Sequence, residues 1–249
     1  MLHVEVAGTG DAITFVHGFG LDGRMWAPQV ADFGATHRTV TVDLPGFGRS
    51  PAPADEAPVV DALARTLDRL GVAATHLVGL SLGGAIAADF ALAHPRRLRA
   101  LVLADALLLG HPARLDTWKR CVALARAGDR AGAIAHWLTD GVFAGARTQP
   151  EVWAKIRALL AGYDGAHWTG AVTLRWAAPK PRERLGEIRA PTLVLVGERD
   201  TPAFHAMADA YAAAIPGARR RVLAGAGHVT SMEVPAVFNR AVRDFLAGV

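Results

Sequence analysis

Short apolar runs recur along the chain, separated by polar stretches rich in glycine and proline. Ile13-Thr14-Phe15-Val16 ends at His17-Gly18, Arg38-Thr39-Val40-Thr41-Val42-Asp43 ends at Leu44-Pro45-Gly46, and Thr75-His76-Leu77-Val78 ends at Gly79. Leu101–Asp105, Pro191–Gly197 and Arg221–Ala224 repeat the form, and Leu2–Val6 is strand-like. Runs this short, bounded by turn residues, predict strands buried on both faces. Apolar positions at helical spacing predict a helix over about Val59 to Leu70, with Gly71 as its stop. Another runs from Gly84 to Ala93 and closes at His94-Pro95. Such alternation predicts an α/β protein with a mostly parallel twisted sheet and helices on both faces. Sites in these sheets gather at the carboxyl ends of the strands. His17-Gly18, Asp43, Ser81, Asp105 and Asp200 all fall there.

The alternation stops between about Leu107 and Arg189. That segment reads as helical and holds Trp118, Trp137, Trp153, Trp168 and Trp176, five of the six tryptophans. The expected organisation is a core of residues 1–106 and 190–249, with residues 107–189 inserted as a helical cap. The 249 residues show no break in composition, and 51% are hydrophobic, enough for one sizeable core. No internal repeat or low-complexity linker is visible, and Pro51 to Pro58 reads as a surface loop.

The net charge of +4 is carried mostly by arginine. Arg96-Arg97-Leu98-Arg99 and Arg219-Arg220-Arg221 each sit just before an apolar strand and read as solvated loop charge. No nucleic-acid-binding motif accompanies them, so no nucleic-acid partner is expected. The single cysteine, Cys121, excludes an intrachain disulfide and fits a reducing cytoplasm. The N-terminus lacks the features of a signal peptide, and no apolar run reaches the roughly 18 residues of a membrane span. The expectation is a cytoplasmic protein with no membrane partner. The sequence carries no signal for an oligomeric state.

Gly79-Leu80-Ser81-Leu82-Gly83 joins a strand to a helix through a very sharp turn. Two glycines prevent collision where strand and helix almost touch, and the strained serine presents its hydroxyl at the strand's end. A serine hydroxyl needs a neighbouring base. His228 stands apart among the histidines, because it follows Leu223-Ala224-Gly225-Ala226-Gly227 on a loop after the last strand. His17 reads as loop-shaping, and His76 and His94 as surface or capping residues. The base needs a carboxylate to fix its tautomer. Asp200, ending Gly197-Glu198-Arg199-Asp200, is favoured over Asp105, which reads as structural or pocket-lining. Asp43 reads as organising its own turn. The N–H groups of Leu82 and Phe19 are the expected oxyanion donors. No histidine–carboxylate set has metal spacing, so neither a metal nor a cofactor is expected.

Four stretches together resemble the α/β-hydrolase superfamily: His17-Gly18-Phe19-Gly20, Asp43-Leu44-Pro45-Gly46-Phe47-Gly48-Arg49-Ser50, the serine turn, and Gly225-Ala226-Gly227-His228. G-x-S-x-G between strand and helix is that fold's nucleophile elbow, and Ser81, Asp200, His228 is its triad order. The form Gly-Leu-Ser-Leu-Gly-Gly resembles a branch of small capped serine esterases, enol-lactonases, carbon–carbon bond hydrolases and cofactor-free haloperoxidases. The resemblance implies a metal-free cytoplasmic enzyme that cleaves small or medium carboxylic esters through an acyl-enzyme. A serine nucleophile is unlike epoxide hydrolases and haloalkane dehalogenases, and Phe19 is unlike the oxyanion loop of hydroxynitrile lyases. Lactone or carbon–carbon cleavage of an anionic ring-cleavage product is the alternative. It would call for an inward arginine, with Arg120, Arg126, Arg157 and Arg175 as candidates. A ligand receptor without turnover is the alternative from another class. Phe19, Trp118, Trp137 and Val229 are the candidate substrate-binding residues.

Overall fold

The computed structural model describes residues 2–53, 55–111, 116–177 and 181–249. Its strands are β1 (Val4–Ala7), β2 (Ala12–Val16), β3 (Arg38–Val42), β4 (Thr75–Leu80), β5 (Leu98–Ala104), β6 (Thr192–Gly197) and β7 (Arg219–Leu223). They form one sheet in the order β1-β3-β2-β4-β5-β6-β7. Only β1 runs antiparallel to its neighbour. The helices are α1 (Ala27–Phe33), α2 (Val59–Arg69), α3 (Leu82–Ala93), α4 (Asp116–Arg126), α5 (Arg130–Trp137), α6 (Pro150–Ala161), α7 (Ala166–Thr169), α8 (Pro181–Arg184), α9 (Pro202–Ala214), α10 (Thr230–Glu233) and α11 (Pro235–Leu246).

Successive side chains of a strand point to opposite faces, and the interior strands use this to build two cores. Val16, Leu77, Leu101, Leu103, Val194 and Val196 pack with α2, α3 and α9 on one face. Ile13, Phe15, Val78, Leu80, Val102, Leu193 and Leu195 pack with α1 and α11 on the other. Helices α4 to α8 lie between β5 and β6 in the chain, where the strand–helix alternation breaks off. Among the described residues, no helix is long and apolar enough to cross a membrane.

Two expectations need correction. The arginine clusters are not confined to loops: β5 starts at Leu98 and so includes Arg99, and β7 starts at Arg219 and includes the whole triplet. As the end strand, β7 is exposed along Arg219 to Val222. Arg220 pairs with Asp209 at 2.8 Å and Arg221 with Asp244 at 3.7 Å. Charge on an end strand opposes further strand pairing. His76 is not a surface or capping residue either. It lies inside β4 and is buried, and burial lowers its pKa.

Candidate active site

Ser81 links β4 to α3 with φ 54° and ψ −113°, a conformation that costs a side-chain-bearing residue about 1–3 kcal/mol. The surroundings enforce it. A Cβ on Gly79 would strike the Gly83 carbonyl, and one on Gly83 would strike the Val16 carbonyl. The turn is also fastened to β5 and the segment after it. Ser81 N–H donates to the Ala104 carbonyl, and Leu107 N–H donates to the Ser81 carbonyl, both at 3.0 Å. The N–H of Leu82 is the first of α3, one of those a helix leaves without an internal acceptor.

The loop after β2 abuts this turn: a Cβ built on Gly18 would lie 3.4 Å from Ser81 Cβ. His17 holds the loop in place. Its Nε2 accepts the Leu44 N–H at 2.9 Å, which leaves Nδ1 as the proton carrier, 2.8 Å from the Gly18 carbonyl. Burial lowers the His17 pKa and keeps this ring neutral. Asp43 organises more than its own turn. Its carboxylate accepts the Arg49 N–H at 2.8 Å and also the Gly23 N–H at 2.7 Å, joining the turn after β3 to the one after β2.

At the far strands, His228 Nδ1 lies 2.9 Å from Asp200 Oδ2, and both residues are buried. Asp200 Oδ1 accepts the Thr201 N–H at 2.6 Å. The Phe204 ring of α9 lies 4.1 Å from the His228 ring, centroid to centroid. Glu233 braces the histidine loop from below: Oε2 accepts the Gly227 N–H at 2.7 Å and Oε1 the Val229 N–H at 3.0 Å. Phe204 and Glu233 are absent from the sequence-derived site. Glu233 left one trace, an acidic residue closing a turn before Pro235.

Asp105 is brought to the same place. It follows β5 with φ 44° and is fully buried. Its Oδ1 accepts the Gly197 N–H at 2.7 Å, and its Oδ2 the Thr230 hydroxyl at 2.6 Å. Burial, then the nearby Asp200 charge, push its carboxyl well above the usual carboxylate range. Asp105, Asp200 and His228 each offer a ligand atom within 4.8 Å of the others, the one such group among the described residues. The carboxylate oxygens in it already accept protein donors, so a metal would have to displace those bonds. Ala104 connects the two halves of the site. Its carbonyl accepts Ser81 N–H, and the next residue's carboxyl reaches the His228–Asp200 pair.

Between this site and the helical insertion stands the half-buried Phe19. Its ring meets Trp118 at 4.9 Å, Phe47 and Trp137 at 5.4 Å, Tyr163 at 5.5 Å, Trp168 at 5.6 Å and His167 at 6.0 Å. His167 stacks on Phe47 at 4.1 Å and 13°, and burial lowers its pKa to about 4. Trp153 sits apart, against Phe143 at 6.1 Å. Val229 is 1% exposed and packs in the cluster that holds Met232 and Phe238. Its part in the site is the backbone N–H that Glu233 accepts. Arg120, Arg126, Arg157 and Arg175 are all exposed, and Arg175 pairs with Glu56 at 2.8 Å.

The sequence profile of the alpha/beta hydrolase fold matches residues 11–235. A protein of Variovorax paradoxus, provisionally named a carbamate hydrolase, is 31% identical over all of this chain and 97% of its own length. A thermophilic esterase from Thermogutta terrifontis superposes with a TM-score of 0.84 at 30% identity, covering 99% of this chain and 93% of the esterase. The enol-lactonase of Burkholderia xenovorans LB400 gives 0.85 at 26% identity, covering 99% and 96%.

Proposed function

The chain belongs to the α/β-hydrolase fold family, and on that premise we propose that it is a serine hydrolase of small to medium carboxylic esters. One observation carries the reading. A strained serine turn is bonded to Ala104, and the neighbouring Asp105 lies beside a buried His228–Asp200 hydrogen bond. The name and fold of the related esterase support an ester as substrate.

In this mechanism Ser81 Oγ attacks the ester carbonyl and His228 Nε2 takes its proton. Asp200, 2.9 Å from Nδ1, keeps the proton on that nitrogen and stabilises the imidazolium. Phe19 N–H and Leu82 N–H receive the oxyanion, the second aided by its place at a helix N-terminus. His228 then protonates the departing alcohol. Water, deprotonated by the same imidazole, releases the acid from Ser81. Helices α4 to α8 act as a cap, and the rings around Phe19 define an apolar acyl site. The exposure of the four candidate arginines weighs against an anionic ring-cleavage substrate.

The test is steady-state hydrolysis of p-nitrophenyl esters of graded acyl length, with lactones and carbamates beside them. Sustained turnover abolished by Ser81→Ala supports the reading. A single slow turnover would indicate a ligand receptor on the hydrolase fold.

A further inference from the structure

Two buried carboxyl groups meet one buried imidazole at the ends of β5, β6 and β7. Atoms of Asp105, Asp200 and His228 lie within 4.8 Å of one another, with Asp105 fully buried. The other groups bonded to Asp105 are the Gly197 N–H and the Thr230 hydroxyl, neither titratable. Two like charges this close, away from water, are not both retained, so one carboxyl holds a proton.

Its location follows from the partners. Asp200 Oδ1 accepts the Thr201 N–H, and an amide cannot reverse its role. Asp200 Oδ2 faces His228 Nδ1, which must keep its proton if Nε2 is to act as a base. Asp105 Oδ1 is likewise committed to the Gly197 N–H. Asp105 Oδ2 alone faces a hydroxyl, that of Thr230, which can rotate from donor to acceptor.

We propose that Asp105 is a neutral carboxylic acid, protonated on Oδ2, and a positioning residue that leaves Asp200 as the single carboxylate beside His228. The proposal rests on the reading of Ser81, His228 and Asp200 as the catalytic triad. It gives Asp105 a definite task. A second ionised carboxylate here would favour the imidazolium, the form that cannot accept the serine proton. A neutral Asp105 avoids this while tying the end of β5 to Gly197 of β6 and to Thr230 beyond His228. Burial and the Asp200 charge both act on Asp105 in the direction the proposal needs.

Infrared difference spectroscopy on the whole protein at neutral pH is the test. The carbonyl band of a protonated carboxylic acid should be present in wild type and in Ser81→Ala, and absent in Asp105→Asn. Because the amide replaces a neutral acid and not a charge, the inflection of the Asp105→Asn kcat/KM–pH profile should stay within about 0.3 units of wild type. If Asp105→Asn does not fold, Thr230→Val should shift the same band. The proposal is overturned if wild type shows no such band or if Thr230→Val leaves it unmoved. It is also overturned if removing the carboxyl lowers the inflection by about one unit or more, as loss of a negative charge would. Activity persisting in Ser81→Ala would instead overturn the triad reading and leave the band unaffected.

Discussion

Glu233 grips the chain on both sides of His228, accepting the Gly227 N–H with one carboxylate oxygen and the Val229 N–H with the other. Glutamine has only one acceptor oxygen, and its NH2 group would oppose the second N–H. Glu233→Gln should therefore lose about 1–3 kcal/mol, a fall in Tm of about 2–12 °C at this chain length. The imidazole would also be less well placed, and kcat should fall about tenfold. Thermal melts and steady-state kinetics on one preparation check both. An unchanged kcat would mean that the brace serves stability alone.

Ser81→Ala should reduce kcat by about 10⁴-fold, leaving the residual rate of the oxyanion donors and binding. The turn itself is held by Gly79, Gly83 and the bonds to Ala104 and Leu107, so Tm should hold steady. Retention of more than about a tenth of the activity would remove Ser81 from the chemistry.

Asp200→Asn should cost at least about 100-fold more in kcat than Asp105→Asn. The Asp200 oxygen holds Nδ1 of His228 at 2.9 Å, whereas Asp105 spends its oxygens on Gly197 and Thr230. Loss of the tautomer-fixing charge costs about 10⁴-fold in a well-studied triad. Parallel kinetics of the two variants give the ranking, and the reverse order would transfer the acid to the end of β5.

Stability should fall between about pH 6.5 and about pH 4 through His167. The unfolded imidazole titrates near 6.5, whereas burial against Phe47 lowers the folded value to about 4. Between those values the unfolded chain binds more protons, so unfolding is favoured as pH falls. The stabilisation is complete above about 6.5. His167→Phe keeps a ring on Phe47 and removes the titration. Its Tm should drop less than that of wild type between pH 7 and pH 4.5.

Trp118→Ala and Trp137→Ala, which open space beside Phe19, should change the ratio of kcat/KM for long and short acyl esters by about tenfold. Trp153→Ala, which only loosens the contact with Phe143, should lower Tm by a few degrees and affect all esters alike. Identical behaviour of the three variants would make the Phe19 rings scaffolding rather than a pocket.

The interior strands and the serine turn were legible because burial on two faces writes continuous apolar runs, and because the crossing at Gly79 and Gly83 admits no side chain. The run of arginines hid the start of β7, placed at Arg221 in the sequence and at Arg219 in the structure, since an end strand facing water needs no apolar period. His76 misled for the complementary reason: one polar residue within β4 resembles a boundary. The meeting of Asp105 with Asp200 was beyond one-dimensional pattern. It depends on β5, β6 and β7 lying side by side, which no local signal encodes. The rings around Phe19 likewise come from the turn after β3 and from several segments of the insertion, whose apolar positions would read the same in another packing.

The parts of this site come from the ends of β4, β5, β6 and β7, and from the loop after β2. The proposed turnover would therefore report complete assembly, unlike helix content, which local segments recover early. In refolding from denaturant, circular dichroism should return before activity. Activity should wait for the slow non-local pairing that brings β6 and β7 against the strand bearing Ala104.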